Sequence, residues 1–322
     1  MTGCADYIED LRCVVLGGGG FMGTNLCLAL ARRGARVQAF GRSRITGAVH
    51  DRVTWMSGLF EDTSAVARAI EGNNIVFHLI GASTPASSNK DPIADLNTGA
   101  INTIKMLDIC RESGVRMVIF ASSGGTVYGI PRSAPIGEDH PTQPISAYGI
   151  SRLAIEKYLS LYKHLHNLDY MVLRVANPYG RYQVPTKKQG VIAAMMINVL
   201  NGTPLEFWGT GSAVRDFVHI DDVVEAMIAS IAYEGPVRVF NVGSGIGRSI
   251  DQVAADIERM FPNTVAHRVY REARPADVPT NVLDISLIKR EMNWFPKVAW
   301  QAGLQDTADW LRDFLTVGRA SP

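Results

Sequence analysis

The sequence predicts an α/β fold: a doubly wound parallel sheet with a smaller, interleaved C-terminal lobe. Three observations carry this expectation. Short apolar runs rich in β-branched residues alternate with amphipathic stretches through the first half of the chain. Those runs are apolar on both faces, as strands buried between two helical layers are. A chain of 322 residues, 47% apolar and 20% charged, is also long enough to bury such a core without staples.

Arg12–Leu16 reads as the first strand, followed by a glycine cluster and a helix over 25–33 that Gly34 stops. Residues 37–40 and 53–56 are the second and third strands, and 65–70 belongs to the next helix. Residues 75–80 form a fourth strand, 103–112 a helix and 115–121 a fifth strand. A helix over 152–166 and a strand over 170–175 complete the series. Beyond about residue 178 the pattern loosens, with polar, glycine-containing stretches at 178–190 and 204–215. One more strand, 237–242, returns to the sheet, and Ile250–Met260, 285–292 and 301–314 read as helices. The division expected is 1–178 plus about 214–246 for the sheet domain, and about 179–213 plus 247–322 for the lobe.

Lys and Arg total 32 against 31 Asp and Glu, a net charge of +1 that excludes a broad basic surface for nucleic acid. No apolar stretch reaches the roughly 18–20 residues that span a bilayer. The start, MTGCADYIEDLR, is acidic and lacks the apolar run of a signal peptide, so a cytoplasmic protein is expected. Cys4, Cys13, Cys27 and Cys110 have no metal-site spacing and fit free thiols in a reducing compartment. His219 with Asp221 and Asp222 offers no recognisable third or fourth ligand; these residues are read as structural and no metal is expected.

Gly17, Gly20 and Gly23 stand between the first strand and the first helix, in VLGGGGFMGTNL. The spacing is G-x-x-G-x-x-G, a variant of the dinucleotide fingerprint of Rossmann-type sheets. A tight turn there lets backbone N–H groups approach a pyrophosphate at the helix N-terminus. The second strand ends in Phe40-Gly41-Arg42-Ser43-Arg44, with no carboxylate for the ribose hydroxyls. Guanidinium groups attract a 2′-phosphate, so Arg42 and Arg44 tilt the cofactor toward NADP, with NAD the alternative.

After the fifth strand comes ASSGGTVYG (121–129), and twenty residues on SAYGISR (146–152) opens a helix. With VLGGGGFMG, LRVANPYGRYQ and VRDFVHIDDV, these segments resemble the extended short-chain dehydrogenase/reductase family, within it the UDP-glucose 4-epimerase type. The resemblance runs from about Arg12 to Phe314, with the motifs in the family order. It implies a cofactor site at Gly17, Gly20, Phe21, Met22, Gly23, Leu79, Gly81, Ala82 and Pro178, besides Arg42 and Arg44. It also implies that Tyr148 is the catalytic tyrosine. A phenol is a poor base near neutral pH, and a fixed cation beside it favours the phenolate.

Three positions depart from the family pattern. Arg152 replaces the lysine four residues after the tyrosine; it keeps the charge with a larger, planar head. Gly124 stands where the family has a Ser or Thr, leaving Ser123 or Thr126 to supply the hydroxyl. Gly99 stands where an Asn is typical. The resemblance further implies a sugar-nucleotide site at Asn177, Gln189, Gly190, Val191, Leu205, Trp208, Arg215, Arg274 and Asp277. Arg215 and Arg274 would bind the diphosphate by charge-assisted hydrogen bonds. Asn281 falls where hexose-selective members carry a bulky tyrosine, which leaves room for a 2-acetamido group.

The leading expectation is a UDP-hexose or UDP-N-acetylhexosamine 4-epimerase working through a 4-keto intermediate with tightly bound NAD(P). The alternatives are an NADPH-dependent reductase of 4-keto sugar nucleotides and a binding protein made inert by Arg152, Gly99 and Gly124. A homodimer through two helices, one over 103–112 and one over 152–166, follows from the resemblance.

Overall fold

Seven parallel strands form the centre of the computed structural model, which describes residues 8–43, 50–81, 85–184, 190–262, 267–272 and 278–319. Along the chain these are β1 (Arg12–Leu16), α1 (Phe21–Arg32), β2 (Arg36–Gly41), β3 (Val53–Ser57), α2 (Thr63–Ile70) and β4 (Ile75–His78). Short helices α3 (Pro85–Ser88) and α4 (Pro92–Leu96) follow, then a π-helical turn over Asn97–Ile101 that leads into α5 (Asn102–Glu112). Next come β5 (Met117–Ser123), α6 (Ala147–His166), β6 (Asp169–Val175) and β7 (Asn177–Tyr179). The second half adds α7 (Val191–Asn201), β8 (Leu205–Trp208), β9 (Val214–His219), α8 (Ile220–Ala229) and β10 (Val239–Val242). It ends with β11 (Gly247–Ser249), α9 (Ile250–Met260), β12 (Arg268–Arg271), β13 (Thr280–Asn281), α10 (Ser286–Met292) and α11 (Trp300–Arg319).

The sheet order is β10-β6-β5-β4-β1-β2-β3. The order reverses between β1 and β4, which opens a crevice at the carboxyl ends of the strands. Alternate residues feed two cores. Cys13, Val15, Ile75, Phe77 and Ile119 pack with α1 and α8 residues on one face, and Val14, Leu16, Val76, Val118 and Phe120 with α2, α5 and α6 residues on the other. A third core, with Ile192, Met196, Phe207, Phe217, Ile257 and Leu304, holds the smaller layer together. There β9 pairs with β7, β11 and β13, and β8 pairs with β12.

Several boundaries differ from the sequence expectation. Helix α1 starts at Phe21, ahead of the expected 25, because Gly20 is its N-cap and Phe21 and Met22 already pack against the core. Helix α6 starts at Ala147, ahead of the 152 that periodicity gives and within the SAYGISR segment expected to open it, capped by Ser146 Oγ, which accepts from Gly149 N at 3.2 Å. Strand β5 begins at Met117, since Val115 N bonds back to Cys110 O of the preceding helix. The stretch that reads as loose also holds β8, within 204–215. Cys13, Cys27 and Cys110 are buried free thiols, with burial pushing each pKa up. Among the described residues, no helix is long and apolar enough to cross a membrane.

Candidate active site

The glycine turn is built by close approach of backbone to backbone. Gly17 has φ +91°, and its N–H and that of Gly18 both donate to Phe40 O, at 2.8 and 3.0 Å. A Cβ on Gly17 would lie 3.2 Å from Leu79 C, and one on Gly23 would run into Gly17 O. The first turn of α1 has neither a side-chain cap nor an acidic residue, so its N–H groups are left to an external acceptor. That donor set suits a pyrophosphate. Arg42 lies exposed at the end of β2, and Ser43 O abuts Gly19. Arg44 and Ala82 lie outside the described residues.

Across the crevice, α6 presents Tyr148 and Arg152 on one face, four residues apart. Tyr148 is half-buried, and its N–H donates to Ser88 Oγ at 3.0 Å, while Ala147 N donates to Asn89 Oδ1 at 2.8 Å. Arg152 is buried, and its Cζ lies 4.9 Å from the Tyr148 ring centroid and 5.3 Å from that of Phe120. Its Nη2 donates to Ile80 O at 3.1 Å and its Nη1 to Ala121 O at 3.5 Å, bridging the ends of the fourth and fifth strands. The arginine thus has a seat of its own. A Cβ on Gly81 would stand 2.6 Å from Nη2, so any side chain there would push the wide head from its seat. Gly99 has room, with Ser151 Cβ the nearest atom at 3.8 Å. Below, His78 Nε2 shares a 2.9 Å hydrogen bond with Thr103 Oγ1; burial, reinforced by the Arg152 charge, pushes its pKa down to about 3.

Gly124 is explained by packing. A Cβ there would meet Leu283 Cδ1 at 2.6 Å and Arg174 O at 3.0 Å, so the family hydroxyl has no space at this position. Its carbonyl accepts from Asn281 Nδ2 at 3.1 Å, which ties β13 to the segment after β5. Ser123, half-buried, ends β5; Thr126 Oγ1 is buried with no hydrogen-bond partner among the described residues. The Thr126 carbonyl lies against Gly149, next to Tyr148; a Cβ on Gly149 would approach it to 2.8 Å.

The sugar-nucleotide candidates divide. Asn177 donates to Asp216 O at 2.9 Å, and β9 sets Arg215 beside Asn281, so Asn177, Arg215 and Asn281 share one small sheet next to Gly124. Arg215 Nη1 donates to Val214 O at 2.9 Å. Gly190, with φ +85°, is the N-cap of α7, which Val191 begins. The Leu205 side chain is fully buried in the lobe core, which leaves only its backbone to face a ligand. Trp208, on the opposite face of the same strand, is exposed. Gln189, Arg274 and Asp277 lie outside the described residues. Gln183 is a candidate that sequence reasoning missed: it is buried, its Nε2 donates to Pro178 O at 3.1 Å, and its amide fills the space beside Gly190. Asp222, by contrast, accepts from Lys297 N and Val298 N, a structural use.

The NAD dependent epimerase/dehydratase family model matches residues 13–243, across the sheet and the tyrosine helix. The chain belongs to this family. It is therefore an enzyme of the extended short-chain dehydrogenase/reductase type. It is 30% identical over 311 residues to a UDP-glucose 4-epimerase of Mycolicibacterium smegmatis, an alignment covering 94% of this chain and 99% of the relative. It is 29% identical to a dTDP-4-dehydro-6-deoxyglucose reductase of Escherichia coli, with 90% of this chain and 94% of that one aligned. The structure of a UDP-glucose 4-epimerase with UDP-glucose from Thermotoga maritima superposes with a TM-score of 0.89 at 30% identity, covering 95% of this chain and 100% of that one. The superposition shows a shared α/β architecture, whereas the relatives' named reactions differ.

Proposed function

We propose that this family member is a nucleotide-sugar 4-epimerase acting on UDP-hexoses or UDP-N-acetylhexosamines. The observation that carries the reading is the juxtaposition at the crevice of Tyr148, the Arg152 cation 4.9 Å from its ring, and Thr126, whose carbonyl lies against Gly149 next to Tyr148. Tyr148 takes the proton of the 4-hydroxyl and returns it, and Arg152 holds a fixed positive charge against its ring. Ser123 or Thr126 would supply the assisting hydroxyl; the Thr126 Oγ1 is buried without a hydrogen-bond partner among the described residues, so a substrate oxygen can satisfy it. Gly17, Gly20, Phe21, Met22, Gly23, Leu79, Gly81 and Pro178 would hold the dinucleotide. When bound, the dinucleotide would supply reversible hydride transfer at C4 of the sugar, by way of a 4-keto form. Arg42 favours NADP over NAD, since no carboxylate within 40–43 opposes a 2′-phosphate.

Asn177 and Arg215 are assigned to the diphosphate side of the substrate, together with Arg274. Asn281 is a small side chain, 1% exposed, whose Oδ1 has no partner and can accept a hydrogen bond from an acetamido N–H. In this assignment residues 1–178 and about 214–246 serve the cofactor, and about 179–213 and 247–322 the sugar nucleotide. Helix α6 carries an exposed apolar stripe, Ile150, Tyr158, Leu161 and Leu165, beside Ile101 ahead of α5. Such a stripe suits a homodimer formed by α5 and α6 packing on their copies. The buried thiols fit a reducing compartment, and we place the enzyme in the cytoplasm.

Incubation with a UDP-sugar tests the reading. The 4-epimer should appear with no net change in NAD(P)H. Arg42 also suits a reductase, and for that reading NADPH would disappear mole for mole with a 4-keto sugar nucleotide. No epimer from any UDP-hexose or UDP-N-acetylhexosamine, even with added cofactor, would remove the epimerase reading.

A further inference from the structure

Beneath the crevice lies a group of buried polar side chains that the proposed chemistry does not use. Glu156 sits on α6, four residues after Arg152 and eight after Tyr148, and is 4% exposed. Arg174 on β6, 5% exposed, donates to it from Nε at 3.2 Å to each oxygen and from Nη2 at 2.7 Å. The same carboxylate accepts from Ser122 Oγ of β5 at 2.5 Å. Arg174 Nη1 donates to Tyr128 Oη at 3.0 Å, and Tyr128 donates to Asn241 Oδ1 of β10 at 2.7 Å. Asn241 in turn donates to Ile136 O at 2.8 Å.

One ion pair therefore grips the segment 122–128 at both ends and fastens it to the helix that carries Tyr148 and Arg152. Ser123 and Thr126 lie between the two grips. A buried ion pair is a poor way to gain stability, because desolvation offsets the attraction and an apolar pair of like volume commonly serves as well or better. What the charges supply here is direction: a bidentate guanidinium and carboxylate fix the relative register of helix and loop, which dispersion contacts leave looser.

We propose that Glu156 and Arg174 are positioning residues, holding the hydroxyl-bearing segment in register with Tyr148. The proposal rests on the epimerase reading for its kinetic arm but not for its structural one. In the cofactor-loaded enzyme, the double variant Glu156→Leu/Arg174→Met should melt no lower than the native protein, keep KM within about threefold and lose about 10- to 100-fold in kcat, the cost of a misplacement near 1 Å. Tyr128→Phe, which releases one grip and leaves the ion pair, should show the same split at about 3- to 10-fold in kcat. Hydrogen exchange of the amides at 123–127 should quicken in both variants. That readout needs no turnover, so it decides the positioning claim even if the native protein epimerises no sugar. Native kcat and native exchange in a folded double variant would overturn the proposal. So would a kcat loss matched by an equal rise in KM or by a fallen melting temperature. Should the double variant not fold, native kcat and exchange in Tyr128→Phe would overturn it equally.

Discussion

Gly81→Ala tests whether the seat of Arg152 matters to function. The added methyl would stand 2.6 Å from Arg152 Nη2, and reaching an ordinary contact of 3.4 Å moves the guanidinium by about 0.8 Å. The Nη2 bond to Ile80 O, 3.1 Å in the native protein, then stretches past hydrogen-bonding range, and the 3.5 Å bond from Nη1 to Ala121 O has no slack to compensate. Loss of one charge-assisted bond to a buried carbonyl is worth about 1.5–3 kcal/mol. Because the obstacle is the far end of a side chain, not backbone, the fold can absorb it. The cost should fall mainly on the placement of the cation beside Tyr148. We expect kcat/KM for 4-epimer interconversion to drop about 10- to 100-fold, with a melting temperature only a few degrees lower. Arg152→Lys in the Gly81→Ala background should recover part of the loss, since an ammonium is narrower than a guanidinium. Native activity in Gly81→Ala, or no recovery in the double variant, would refute the claim that this glycine makes room for a functional arginine.

Other expectations follow from local geometry. Gly124→Ser, although it restores the family hydroxyl, should destabilise the protein by about 1–3 kcal/mol in urea unfolding and bring no gain in kcat, because Leu283 and the Arg174 carbonyl occupy the space. Gly99→Asn should leave stability within about 1 kcal/mol, its nearest neighbour being 3.8 Å away. His78 is neutral when folded, with a pKa of about 3, but takes a proton below about 6.5 when unfolded. The unfolded state therefore binds more protons between those values, and stability falls as the pH drops, by up to about 1.4 kcal/mol per unit. Denaturation at pH 7 and pH 5 should show this slope reduced in His78→Gln; an unchanged slope would contradict the assignment.

The sheet was legible because its strands are continuous apolar runs of the length expected for a doubly covered layer. The tyrosine helix and glycine turn were legible as motifs, and SAYGISR marked where the helix opens; periodicity alone placed the two helix starts late, at 152 and 25, because the caps act from outside the amphipathic pattern. Helix α7, VIAAMMINVLN, is apolar on nearly every side and so shows little of the helical stripe. Strand β9 runs directly into α8 through His219, with no turn residue to mark the change. Arg152 was legible as a departure, whereas its accommodation by Gly81 appears only when strands β4 and β5 stand next to α6. The network of Ser122, Tyr128, Glu156, Arg174 and Asn241 was invisible for the same reason. Its partners come from four segments, and bonded partners stand up to 113 positions apart.

The central claim is that one and the same hydride leaves C4 and comes back to it within a single binding event. A UDP-sugar deuterated at C4, followed by proton NMR in ordinary water, tests this directly. The account predicts that the 4-epimer forms with the deuterium retained at C4 and with no accumulation of reduced cofactor. Loss of the deuterium from C4 during interconversion, or its appearance in reduced cofactor without any epimer, would contradict it.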